Sequence, residues 1–213
     1  MREVRIKIDS STISPNINKK QLKWAVNFLK RKINTNYISK NKNIECILVD
    51  HNSQNLNKYL KINTKNNIKE SFLINPIKKD FSKVIIYGYD TRGLIYAITE
   101  IADRIENRIE KKLNLKKIFK KTSESPKTKI RSISKCFESD IEDLKWFYNK
   151  TMWREYLDML ISNRFNRFTF TLGMQYNYPY GNEFIKDVYL YLPYPFLVSP
   201  KGYNIKLSNF TKI

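Results

Sequence analysis

Four carboxylates, Glu138, Asp140, Glu142 and Asp143, stand directly behind the apolar run from Ile130 to Phe137. Closely spaced carboxylates can act as a general acid and base or steady a developing positive charge. Crowded into one loop ahead of Trp146, they read first as a solvated turn and the start of a helix, and only second as catalytic groups. His51 is the only histidine. A Ser/His/Asp triad would have to use it, and a zinc site built on several histidines is excluded. Lying between Val49-Asp50 and Asn52-Ser53, it reads as part of a solvated turn. Cys46 and Cys136, the only cysteines, each sit in an apolar strand-like run and read as small core residues, not as a disulfide or a metal clip. Arg92-Gly93 follows a strand that ends at Gly88, where free helix amides could hold phosphate. With neither a Walker loop nor a GxGxxG fingerprint there, a structural role is expected, and no cofactor is called for.

The 213 residues are 41% hydrophobic and 14% aromatic, enough apolar material for one or two packed cores. Forty Lys+Arg against twenty Asp+Glu give a formal charge of +20, which raises affinity for any polyanion through counterion release. The charge is dispersed, however, over Lys30-Arg31-Lys32, Lys78-Lys79, Lys111-Lys112, Lys116-Lys117 and Lys120-Lys121, mostly beside Asn and Ile. Lys, Asn and Ile all have A- or T-rich codons, so genome composition accounts for part of the excess. No Cys/His finger, RRM signature or GxxG clamp is present, and specific nucleic-acid binding is not expected. There is no membrane-length apolar run, and Met1-Arg2-Glu3-Val4 leads into a strand pattern without an apolar signal core, so the chain as written is expected neither to span a membrane nor to be exported.

The elements that would position such residues follow from periodicity. Val4, Ile6 and Ile8 alternate with Arg5 and Lys7 as in a half-buried strand. Leu22, Ala25, Val26, Leu29 and Ile33 recur at helical steps, predicting an amphipathic helix over 19–33. Ile44 to Asp50 and Lys83 to Gly88 are strands, with a short one at Ser71 to Ile74. A helix from about Thr91 to Glu110 follows, its first amides capped by Asp90 or Thr91. The order β-α-β-(β)-β-α describes an open sheet with helices packed on it. Lys111 to Lys129 turns Lys-rich and passes through Thr122-Ser123-Glu124-Ser125-Pro126, a linker signature. Beyond it, a strand over 129–137, a helix over 152–161 and a strand over 165–172 form a β-α-β unit fit for a parallel sheet. The Tyr-, Phe- and Pro-rich tail reads as a long structured loop.

Two segments resemble a known arrangement. Val84-Ile85-Ile86-Tyr87-Gly88-Tyr89-Asp90-Thr91-Arg92-Gly93-Leu94-Ile95-Tyr96-Ala97 is similar to the end of the small α/β domain that precedes the catalytic barrel of β-N-acetylhexosaminidases and α-glucuronidases. Pro126 to Gly173, with Lys129-Ile130-Arg131-Ser132-Ile133, Trp146-Phe147, Trp153 to Leu160 and Arg164-Phe165-Asn166-Arg167-Phe168-Thr169-Phe170, resembles the opening β-α-β of such barrels. The resemblance implies an α/β fold in three parts: a hexosaminidase-like sandwich domain over 1–120, a linker over 121–128, and from 129 to 213 the first β-α-β portion of an incomplete (β/α)8 barrel. A whole barrel takes about 200 to 250 residues, and the stretch from 129 to 213 is far shorter.

By the same resemblance the catalytic carboxylates belong to later barrel strands, so the chain is expected to be an N-terminal fragment of a glycoside hydrolase-like protein that does not turn over substrate alone. Its partner would be an oligosaccharide or polysaccharide, with hexosamine or uronic acid as the sugar class. Arg131, in the first barrel strand, would reach sugar hydroxyls with its forked donors, or else pair with a neighbouring acid or lie exposed on the barrel's underside. Gln175 and Tyr176, just past the second strand, would face a sugar with an amide and an aromatic ring. Trp146, Tyr176, Tyr178 and Tyr180 could stack on sugar C–H faces, although aromatics at this density more often anchor loops. The alternatives are a non-catalytic carbohydrate-binding module and a basic nucleic-acid-binding protein.

Overall fold

The computed structural model describes residues 4–34, 42–54, 56–60, 67–106, 114–137 and 140–172. Two compact units divide them, the first taking the described residues up to 132 together with 155–167, the second 133–154 together with those from 168 onward.

In the first unit the elements run β1 (Val4–Asp9), α1 (Lys19–Asn34), β2 (Lys42–Asp50), α2 (Leu56–Tyr59), β3 (Phe72–Pro76), β4 (Lys83–Gly88), α3 (Thr91–Glu106), α4 (Leu115–Ile118) and β5 (Thr122–Glu124). The five strands form one sheet in the order β1-β2-β4-β3-β5. β1, β2 and β4 are parallel, with Ile6 opposite Ile44 and Leu48 opposite Ile86. β3 runs antiparallel to both β4 and β5. Burial explains the order. From Ile44 onward β2 is buried at every position but Glu45, as a central strand covered on both faces must be. β1, which keeps Arg5 and Lys7 exposed, suits an edge.

Side-chain alternation sends the two halves of each strand to different cores. Ile44, Cys46, Leu48, Ile74, Val84 and Ile86 pack with α1 and α3, whose Leu22, Ala25, Phe28, Leu29, Leu94, Ile98, Ile101 and Ile105 are buried with them. Ile47, Val49, Leu73, Ile85 and Tyr87 form a smaller cluster with Leu60, flanked by Leu56 and Tyr59 of α2. Cys46 is in the first core, and burial pushes its thiol up to about 12, the behaviour of an inert core residue.

The start of α3 fixes how closely helix and sheet approach. Asp90 caps the helix, its Oδ1 accepting from the Gly93 amide at 2.9 Å. Thr91 instead takes the Asn18 amide on its Oγ1 at 3.0 Å. A Cβ on Gly88 would lie 2.1 Å from the Leu94 nitrogen, and one on Gly93 would lie 2.3 Å from the Ser71 carbonyl oxygen. Both obstacles are backbone, so neither can swing aside.

Besides α4 and the helix Asp140–Phe147, neither of which the periodicity predicts, two segments differ from the sequence expectation in ways that bear on the site. Thr122–Glu124, inside the stretch with a linker signature, is the edge strand β5, held by Phe72, Leu73 and Ile74 of β3. Its composition says turn, but the free edge of β3 supplies the pairing. The next strand, β6, begins at Ser132 and ends at Phe137. Residues 127–129 bend and Ile130 is exposed, which leaves Arg131 ahead of the strand, not inside it.

The second unit contains most of β6 and β7 (Arg167–Leu172), which pair in a separate two-stranded sheet. Between them the chain makes α5 (Asp140–Phe147) and α6 (Lys150–Ser162). Asn149 caps α6 by accepting the Thr151 and Met152 amides, each at 3.0 Å. Phe168 and Phe170 alternate onto one side of β7 and meet Trp153 at 5.9 and 5.6 Å between ring centroids. Trp146 closes on Trp153 at 5.5 Å and on Phe170 at 6.3 Å, within the range where aromatic pairs attract. The described residues are thus α/β, a mostly parallel five-stranded sheet with its helices and then a two-stranded sheet whose strands are separated by two helices.

Replacing Gly88 or Gly93 by Ala is expected to lower stability by about 3 kcal/mol through forced backbone separation. Urea unfolding of the two variants checks this. A loss within about 0.5 kcal/mol, the range of an ordinary surface change, would mean that the close approach is not a constraint.

Candidate functional site

Glu70 occupies the turn that leads into β3, with a left-handed φ of 67°. Its side chain is only 9% exposed. The backbone is pinned on both sides: the Glu70 amide donates to Asp90 Oδ2 at 3.2 Å, and the Ser71 carbonyl accepts the Tyr89 amide at 2.9 Å. Around the carboxylate three donors converge. Arg92, on the first turn of α3, reaches Oε1 at 2.8 Å. Asn166 Nδ2 reaches Oε1 and Oε2 at 3.1 and 3.2 Å. Arg131 binds Oε2 through Nη2.

Arg131 is fully engaged by this arrangement. Its Nε donates to the Arg164 carbonyl at 2.6 Å and its Nη1 to the Thr128 carbonyl at 2.7 Å. The guanidinium carbon lies 5.9 Å from the centre of the Tyr96 ring. Asn166 completes the exchange, accepting the Arg131 amide on Oδ1 at 2.9 Å and donating to the Lys129 carbonyl at 2.7 Å. Burial works to raise the Glu70 carboxyl, but the hydrogen bonds from Arg131, Arg92 and Asn166 and the charge of Arg131 outweigh it and hold the group below its ordinary value.

A second carboxylate cluster adjoins. Arg164, also left-handed at φ 64°, pairs with Glu124 and, at 2.5 Å, with Glu100. Its guanidinium carbon sits 5.1 Å from the centre of the Phe72 ring. Arg104 shares Glu100 at 2.9 Å and also donates to the Ile118 carbonyl and to Thr122 Oγ1. Glu70, Arg131, Tyr96, Phe72, Glu124 and Arg164 are among the residues that line a shallow cleft of about 230 Å³. Each charged group lining it already has an opposite charge, so its chemistry is that of a filled joint, not of a vacant ligand site.

At the carboxyl ends of the parallel strands, where open α/β sheets place ligands, the buried carboxylate is also satisfied from within. Asp50, fully buried at the end of β2, accepts the Ser14 amide and Ser14 Oγ, each at 2.7 Å, Ser53 Oγ at 2.6 Å and the Asn52 amide at 3.0 Å. Burial pushes its carboxyl up, yet these bonds bring it below its ordinary value. His51 stacks on Tyr89 with ring centroids 4.6 Å apart, and its buried Nδ1 has no hydrogen-bond partner. Among the described residues no group of three or more His, Cys, Asp and Glu is arranged to hold a metal ion.

The expected sugar-binding residues fare differently. Arg131 is described and stands at the amino end of β6, held by Glu70. Barrel active sites form at the opposite, carboxyl ends. Gln175 and Tyr176 lie outside the described residues, as do Tyr178, Tyr180 and Glu138. Of the remaining acids, Asp143 accepts the Trp146 indole N–H at 2.6 Å, and Trp146 itself is a packing anchor of the aromatic cluster. Sequence reasoning does not single out Glu70 or Asp50. For Asp50 a signal exists, an Asp at a strand end with Asn and Ser two and three residues on, the pattern of a side chain that bonds its own turn. For Glu70, whose charged partner Arg131 lies 61 residues away, no local signal exists.

No protein-family profile matches the sequence and no curated protein is similar to it. Solved structures do match. A GH138 enzyme targeting pectin rhamnogalacturonan II superposes on 80% of this chain with a TM-score of 0.54 at 24% identity, over 19% of its own length. A family GH115 4-O-methyl-α-glucuronidase with specificity for decorated arabinogalactans covers 80% with a TM-score of 0.54 at 15% identity, over 25% of its length. The chain thus spans about a fifth to a quarter of these proteins, and at such identities the likeness is one of fold. It is a fold that glycoside hydrolases contain as one part of a longer chain.

Because the Asp50 carboxyl is depressed in the folded state, its stabilising contribution is complete above the ordinary value of 3.8 and is lost as pH falls through the lower folded value. Asp50→Ala is expected to remove about 3 kcal/mol at pH 7, the loss of charged hydrogen bonds in the interior. The gap between variant and parent should narrow below pH 3.8. Chemical denaturation at a series of pH values reads this directly, and a gap that stays constant into acid would show that the Asp50 charge is not what stabilises the end of β2.

Proposed function

We propose that this chain is the N-terminal portion of a glycoside hydrolase-like protein, an accessory α/β domain followed, after the Lys-rich segment, by the first β-α-β of a catalytic barrel. The boundaries proposed from the sequence are residues 1–120 for the accessory domain, 121–128 for the linker and 129 onward for the barrel, with the linker carrying the short strand β5 that adds to the edge of the accessory sheet. The observation that carries this reading is the agreement over 80% of the chain with two glycoside hydrolases, each over a limited part of its length. In the proposal β6 and β7 are the first two barrel strands, and the catalytic carboxylates come from strands that follow. Hydrolysis needs an acid at the leaving oxygen and a second group opposite it, and two strands do not surround a sugar.

The preferred substrate class is a polysaccharide bearing uronic acids, above one built on neutral hexosamine. A formal charge of +20 attracts a polyanionic glycan at long range, even when the cations are dispersed. One of the matching proteins is a 4-O-methyl-α-glucuronidase. Sugar contact is assigned to residues behind the carboxyl end of β7, where Gln175 and Tyr176 follow in sequence. Arg131 enters as a joint residue, since its donors are taken.

In a binding assay the isolated chain is expected to retain polygalacturonate or a glucuronic-acid-bearing arabinogalactan, to ignore neutral chitin oligosaccharides, and to release no reducing sugar from any of them. Replacing both Gln175 and Tyr176 by Ala should weaken the retention. Turnover of a glycoside by the 213-residue chain would overturn the proposal. Equal binding to mixed DNA with the same salt slope would reduce the interaction to charge alone.

A further inference from the structure

We infer that Glu70 is a latch: its single carboxylate holds closed the two segments that lead into β6 and β7, residues 126–131 and 163–167, as one cooperative piece with the five-stranded sheet. The inference does not depend on the proposed function. Four stretches far apart in sequence meet at this carboxylate. Arg92 is 22 residues from Glu70, Arg131 is 61 and Asn166 is 96. The two lead-in segments also hold each other, because the Arg131 carbonyl accepts the amides of Asn166 and Arg167 at 3.0 and 3.2 Å. Opening one therefore exposes the bonds of the other.

The backbone supplies an independent sign. Of the three non-glycine residues with positive φ among the described residues, Glu70 at 67° and Arg164 at 64° lie at this joint and Phe81 at 60° does not; longer side chains adopt this conformation only rarely. In both places the residue is charged and its charge is spent on the same joint. Arg92, Glu70 and Arg131 form one run of alternating charge. Arg164, Glu100 and Arg104 form another, and the bond from Arg131 Nε to the Arg164 carbonyl connects them. A side chain that merely needed solubility would not require a strained backbone and a buried carboxylate together.

The test is hydrogen exchange read by mass spectrometry on the full chain, comparing the parent with Glu70→Gln, Glu70→Gly, Arg131→Lys and the surface control Glu45→Gln. Glu45 meets Lys83 at 3.4 Å with both side chains more than a third exposed. Glu70→Gln is expected to speed exchange in peptides covering 126–131 and 163–167 by roughly 10- to 100-fold, as removal of a buried charge partner does. Peptides from β2 and β4 and all peptides of Glu45→Gln should stay at the parent rate. Glu70→Gly should loosen the same segments although it relieves the left-handed φ. Arg131→Lys keeps the charge without the forked donors and should loosen the Asn166 and Arg167 amides, which touch only its backbone carbonyl. Unchanged exchange in those segments, a uniform rise across the sheet, or full protection in Glu70→Gly would each overturn the latch.

Discussion

A carboxylate hidden from water must be answered by positive charge or give up its own, and Glu70 is answered. Two arginines and an asparagine surround it, drawn from the start of α3 and from the stretches before β6 and β7. Removing the arginines would strand the Glu70 charge away from water, whereas Arg92, with its side chain 54% exposed, and Arg131, at 21%, keep part of their hydration when Glu70 is lost. That asymmetry gives the joint its grip. Replacing a whole buried ion group by well-packed apolar side chains often serves stability equally well.

The sheet beneath this joint is set by a different constraint, the separation of helix and strand at Gly88 and Gly93. Because Gly93 rests against the Ser71 carbonyl, the turn carrying Glu70 is brought to the first turn of α3, where Arg92 projects. Close packing and charge pairing are therefore successive steps of one structure. Asp90 links them, giving one oxygen to the helix cap and the other to the Glu70 amide.

Period and composition make most of the elements legible. The alternation of Val4, Ile6 and Ile8, the helical spacing of Leu22, Ala25 and Leu29, and the uninterrupted apolar run at 84–86 each announce their element, because local burial alone decides them. Thr122–Glu124 does not announce a strand, since its pairing comes from the exposed edge of β3 and not from its own residues. The helix over 140–147 is half visible, its acids reading as a turn and helix start while Trp146 and Phe147 supply the apolar anchor. Glu70 is illegible for a plainer reason: an ion pair that spans 61 residues leaves no trace in any window.

Arg131 shows where residue type stops being informative. A guanidinium presents forked donors that suit a vicinal diol and a carboxylate alike, so the side chain by itself cannot say which it meets. Position can. The residue precedes β6 and lies at the strand's amino end. At the amino end the nearest acceptor is Glu70, already committed by its own burial to finding a cation. The strand starts at Ser132 and not at 129, after a bend at 127–129 that the apolar pattern of the run does not reveal, and the Arg131 guanidinium meets Glu70 just ahead of it.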